Sequence, residues 1–96
     1  MQDLKDHLRA NEIVRQVCRL RRIRVSELFS RRRSARITQA RQLAAYLIRR
    51  HLGWNHHRVA RFFGFKAHSS AVYCFQSVAF ERTYNHTLNK QIEQFN

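Results

Sequence analysis

Residues 62–75, FFGFKAHSSAVYCF, hold four polar side chains between two apolar runs: Lys66, His68, Ser69 and Ser70. An ammonium, an imidazole and two hydroxyls this close together can bond to phosphate oxygens and to the edges of bases. A second group is cationic. Arg31, Arg32 and Arg33 form an uninterrupted run, and Arg41, Gln42 and Arg49 follow on one stretch of chain. Nothing here sets a nucleophile beside a base. Cys74 falls on an apolar stripe with no base within helical reach, which makes it a packing residue. His56 and His57 point to different sides of a helix and lack a Cys or acidic companion at metal-ligand spacing, so they read as added positive charge near phosphate.

The elements that must carry these groups are helical. The chain has no proline and only two glycines, and its apolar residues recur at a period of 3.6. Ala10, Ile13, Val17, Cys18 and Leu20 mark a first helix over about 10–20, with residues 3–9 extending it or fraying. In RVSELFS, Ser26 begins one short turn anchored by Leu28 and Phe29. The stretch SRRRSARIT has no apolar period and reads as an exposed basic loop, since packed arginines repel and bury nothing. Thr38 is then the expected N-cap of a helix over about 39–52. Leu43, Ala44, Leu47 and Ile48 form its inner face; Arg41, Gln42, Ala45 and Arg49 form its outer one. Gly53 ends it. Asn55 caps a short helix over 56–63 with Val59 and Phe63 inside, and Gly64 stops it. The next helix starts near His68 with Ala71, Cys74, Phe75 and Val78 inward. A last helix, about 83–95, lays Tyr84, Leu88, Ile92 and Phe95 across the domain. Trp54 and Tyr73 are expected to pack partly into the core. One of Phe62 and Phe65 is expected at the surface as a partner contact.

A short helix, a glycine turn and a second helix make a helix-turn-helix, which aims the start of its second helix at DNA. The expected fold is therefore all-α: one small helical domain over residues 1–96, its core about 10–80 and a packing helix after it.

Composition agrees on the partner. The chain of 96 residues carries 19 Lys and Arg against six Asp and Glu, a net charge of +13, and residues 28–80 contain no acid at all. That field favours a polyanion. An acid-free middle also lacks the carboxylates of two-metal nuclease chemistry, so an enzyme is not expected. No apolar run approaches a membrane span and the N-terminus is polar, not a signal peptide. Cys18 and Cys74 form no spacing motif and read as reduced core residues of a cytoplasmic protein.

Residues 10–78 resemble the C-terminal DNA-binding domain of DnaA, the bacterial chromosomal replication initiator. IRVSELFSRRRS is similar to that family's short helix and basic loop, ARQLAAYLIRRHLGWN to its Arg-Gln helix, and VARFFGFKAHSSAVYC to the signature that opens its recognition helix. The resemblance implies roles. Arg33, in the loop with Arg31 and Arg32, stands where the family inserts an arginine into the minor groove. Arg41, Gln42 and Arg49 stand at phosphate-facing positions, and Lys66, His68, Ser69 and Ser70 at the major-groove readers. It also implies double-stranded DNA as partner, a place on the bacterial nucleoid and no cofactor.

The sequence departs from the pattern at telling places. Ala67 replaces the family's acidic reader, Ser69 and Ser70 replace two threonines, and Phe65 replaces a second glycine. His56 and His57 replace an apolar residue and a proline. The hydroxyls are kept while the methyls that pack on thymine are lost; each lost base contact is worth about 1–3 kcal/mol. There is no GxxxxGK[ST] phosphate loop, so no ATPase module is expected. The opening MQDLKDH suits a free-standing small protein better than a trimmed fragment. The expectation is a duplex-binding regulator of replication or transcription. Two alternatives stay open: a general nucleic-acid-binding module of low specificity, and a DNA-binding fold turned to binding a replication or transcription protein.

Overall fold

The computed structural model describes residues 2–95. They form α1 (Gln2–Arg21), α2 (Val25–Leu28), α3 (Ala35–Leu52), α4 (His56–Phe63), α5 (His68–Glu81) and α6 (His86–Gln94), with no strand among the described residues.

α3 is the axle. It packs against α1 on one side and α5 on another, and it also touches α2 and α4. A helix with neighbours on most sides needs a wider apolar arc than a surface helix. Ile37, Ala40, Leu43, Ala44, Ala45, Leu47 and Ile48 are accordingly all buried. This corrects the outward placement of Ala45, which is fully buried. A small side chain there lets neighbouring backbones come close.

α3 also starts earlier than the pattern indicated. Ser34, not Thr38, caps it, its hydroxyl accepting from the Ile37 N–H at 3.3 Å. The basic first turn is tolerated because Arg36 points back to the end of α1. Its guanidinium donates to the Arg21 carbonyl at 3.1 Å and to the Arg22 carbonyl. Those carbonyls lie at the negative end of the α1 dipole, where a cation is welcome. The exposed loop therefore shrinks to the residues just before Ser34.

α1 ends with Arg22 at φ +58°, a left-handed residue that carries a side chain. The Ile23 N–H then reaches the Cys18 carbonyl at 3.0 Å and closes the helix end. Leu20, expected inward, is 41% exposed, because the chain turns away from the core just beyond it. Gly53 and Gly64 occupy left-handed positions after α3 and α4 (φ +70° and +73°), and Asn55 caps α4 by accepting from the Arg58 N–H at 2.9 Å.

Phe65 explains how the turn after α4 works with one glycine. Its N–H donates to the Ala60 carbonyl at 2.9 Å. Its ring stacks on Phe63, centroids 5.5 Å apart. Phe62 meets Phe29, Trp54 and His7 edge-on. Both Phe62 and Phe65 are thus half-buried against the core, which corrects the expectation that one stands out. Trp54 is buried, but Tyr73 is 64% exposed and is no core residue. Tyr84 is likewise exposed, edge-on to Phe80 at 5.6 Å. Cys18 and Cys74 are buried free thiols, and burial pushes Cys74 up to about 11.

α6 joins the same core through Leu88 and Ile92 and is riveted by Arg82. That guanidinium donates to Asn89 Oδ1 and to the Tyr46 hydroxyl, each at 2.8 Å, and to the Glu93 carboxylate. Arg82 therefore links the end of α5 to both α6 and α3.

Candidate nucleic-acid interface

The residues singled out from sequence come from three places: the loop before α3, the outer side of α3, and the turn and first residues of α5. A depression of about 550 Å³ is lined by Arg31, Arg33, Arg41, Lys66 and Ser70, with Phe29, Phe63 and Phe65 among its apolar walls. A second, adjoining hollow of about 710 Å³ lies between α3 and α5 and shares Arg41, Phe65 and Ser70. Gln42, Ser69, Tyr73 and Gln76 line it further along. The two adjoin along Arg41, Phe65 and Ser70, with the positive charge concentrated in the first.

Three positions depart from the simplest version of that face. Arg32 turns toward Glu27, 3.8 Å away, with 71% of its side chain exposed. Arg41 is half-buried and points into the loop. Its Nε donates to the Leu28 carbonyl and its Nη2 to the Ser30 carbonyl, each at 2.8 Å. Burial lowers its pKa from the ordinary arginine value, yet an arginine remains charged throughout the working range. Arg41 therefore shapes the basic loop as well as contributing charge. Arg49 stands apart. It donates to the Trp54 carbonyl at 3.2 Å and lies 4.9 Å over the Phe75 ring, lining a separate hollow with Tyr46, Arg50 and Ala79.

The start of α5 is open. Ala67 is its N-cap residue and supplies no side-chain hydrogen bond. The first N–H groups of a helix have no partner within it, and an uncapped end presents them to an anion. Lys66, His68, Ser69 and Ser70 are all exposed around this end. Down the same face, Tyr73 and Gln76 follow Ser69 at helical spacing and are exposed too. Gln76 escaped the sequence reading and Tyr73 was expected in the core, although four and seven residues beyond Ser69 is one face of a helix. Phe65 also lines both hollows, its ring stacked on Phe63, which in turn stacks on Phe29.

His56 and His57 were read as diverging. Their ring centroids instead lie 4.1 Å apart, and His57 sits a further 4.1 Å from His68 across the turn. Among the described residues, no group of three or more His, Cys, Asp or Glu side chains is arranged to hold a metal ion.

The family model described as the bacterial dnaA protein helix-turn-helix matches residues 10–78, a span that runs from α1 through nearly all of α5. The chain belongs to this DnaA family. Two solved structures agree with it over nearly the whole chain. A DNA replication initiation factor superposes with a TM-score of 0.86 at 25% identity, covering 97% of this chain and 30% of its own. The replication initiator DnaA bound to AMPPCP and single-stranded DNA superposes with a TM-score of 0.81 at 26% identity, covering 97% and 29%. This chain thus spans about 30% of the length of those DnaA-type initiators. Among curated protein sequences, none matches it. The helix-turn-helix of the matched family is here α4, the Gly64 turn and α5. No described helix is long and apolar enough to cross a membrane.

Proposed function

We propose that this chain binds double-stranded DNA and regulates replication initiation or transcription in the bacterial nucleoid, without ATPase chemistry. The observation that carries the reading is the shared depression. Arg31 and Arg33 from the loop, Arg41 from α3, and Lys66 and Ser70 from the turn and α5 line one hollow. In this reading the start of α5 enters the major groove, with Lys66, His68, Ser69 and Ser70 toward phosphates and base edges. The loop carries Arg33 to the neighbouring minor groove, where narrow A·T-rich segments offer the strongest negative potential. Gln42 follows the backbone, and Arg41 contributes field while holding the loop. Arg49 is a peripheral phosphate contact at most, given its bond to Trp54.

Low specificity is the second reading, and Ala67 favours it. Without an acidic reader at that position, binding leans on phosphates and hydroxyls. Selection of bound sequences from a random duplex pool separates the two: a defined motif supports specific control, and an even pool supports packaging. For either, affinity should fall steeply with salt, with a log–log slope of about −5 to −9 for six to ten phosphate contacts. Arg33→Ala should weaken binding to every duplex. A flat salt dependence, or full affinity in Arg33→Ala, would overturn the assignment.

A further inference from the structure

The imidazole of His68, one of the α5 readers, joins those of His56 and His57 in a compact cluster that neither the loop nor the reading of bases explains. Ring centroids are 4.1 Å apart for His56–His57 and for His57–His68, and 6.4 Å for His56–His68. The first two rings belong to the opening turn of α4 and the third to the opening residue of α5. The cluster therefore bridges the two helices of the helix-turn-helix at their N-terminal ends, beside Lys66.

Its surroundings are cationic. Neither α4 nor α5 has an acid in its first turn. The charges acting on His57 are those of His68 from α5 and of His56 and Arg61 from its own helix. α1 brings Asp3 and Asp6 toward α4, but both pair with Arg58, at 3.6 and 3.9 Å. No group of α3 is among the charges that act on His57. Two positive helix ends and neighbouring cations oppose a proton on His57. An anion seated against the rings reverses that preference.

We infer that His56, His57 and His68 form a proton-dependent phosphate clamp, so that duplex binding draws protons onto the cluster and tightens as pH falls. The inference rests on the DNA-binding reading above and adds to it a ligand group, the backbone phosphate, and a condition for holding it. The sign follows from linkage. Desolvation, followed by the charges of His68, His56 and Arg61, lowers the His57 pKa below the ordinary histidine value. The free protein thus leaves this ring neutral near neutral pH. A phosphate raises the pKa, so the complex holds more protons than its parts between the two values, and affinity rises as pH falls through that window.

The test is duplex affinity by fluorescence anisotropy at fixed ionic strength, from about pH 8 to about pH 5.5. For each proton taken up, binding should tighten about tenfold per pH unit within the window. His57→Gln should flatten the slope, and the triple variant His56→Gln, His57→Gln, His68→Gln should abolish it. Arg33→Ala should lower affinity at every pH and leave the slope intact. Imidazole proton shifts in the intact chain give a second readout: the His57 titration should move upward when duplex is added. Binding with no pH slope, or a slope that survives in the triple variant, overturns the clamp and leaves the DNA reading standing. No duplex binding at any pH overturns both.

Discussion

Arg41 shows how one side chain serves shape and charge together. Its Nε and Nη2 fill carbonyls of Leu28 and Ser30 that would otherwise lack a partner in a half-buried site. Removing it leaves those acceptors unmet, at a cost of about 1–3 kcal/mol. Arg41→Ala should therefore lower stability by that amount in chemical denaturation and also weaken duplex binding. Arg41→Lys should restore little of either, because an ammonium cannot reproduce the planar fork that meets two carbonyls at once. Unchanged stability in Arg41→Ala would separate the guanidinium from the loop. The sequence set Arg41 among the outward residues of α3; it is half-buried and bonded into the loop, a role hidden in the sequence because its acceptors lie 13 and 11 positions away.

Among the elements, α1 ends on the least comfortable backbone among the described residues. A side chain at φ +58° costs roughly 1–2 kcal/mol relative to glycine, which gives back part of this in unfolded-state entropy. Arg22→Gly should thus stabilise the domain by about 0.5–1 kcal/mol, read as a higher melting temperature. The contact from Arg36 should survive, because it uses the Arg22 carbonyl. A lower melting temperature would show that the Arg22 side chain holds something the backbone alone does not. Element boundaries were legible wherever glycine or asparagine wrote them: Gly53, Asn55 and Gly64 sit where the turns and caps are. The start of α3 was not. An arginine in a first turn looks unfavourable until the end of α1 is known to lie beside it. Ala45, Leu20 and Tyr73 were misplaced for a related reason. Periodicity tells which residues share a face, while burial depends on how many neighbours surround the helix.

For the whole molecule, excess positive charge and histidine set an acid limit. Burial, then Arg50 and Arg9, lowers the His51 pKa below the ordinary value of 6.5, and its Nε2 is buried without a partner. The His57 pKa is lowered as well. The folded chain thus binds fewer protons than the unfolded one as pH falls past 6.5, and stability declines there while it is fully present above. Thermal melting followed from about pH 7.5 down to about pH 5.5 should show a falling midpoint, less steep in His51→Gln. A midpoint that rises on acidification would contradict the direction of both shifts. The family and the helix-turn-helix were legible at this scale because charge, glycine placement and motif order all agreed. The histidine cluster was not, since its members meet only across a turn that the chain must first fold.

The loop of arginines has a final consequence for the strength of the grip. Its backbone is clasped at the root by Arg41 and closed at its far end by the Ser34 cap. Only the tips beyond those two anchors remain to settle when a duplex arrives. A segment already tethered at both feet surrenders little motion on contact, so more of the attraction survives as affinity and less is consumed in imposing order.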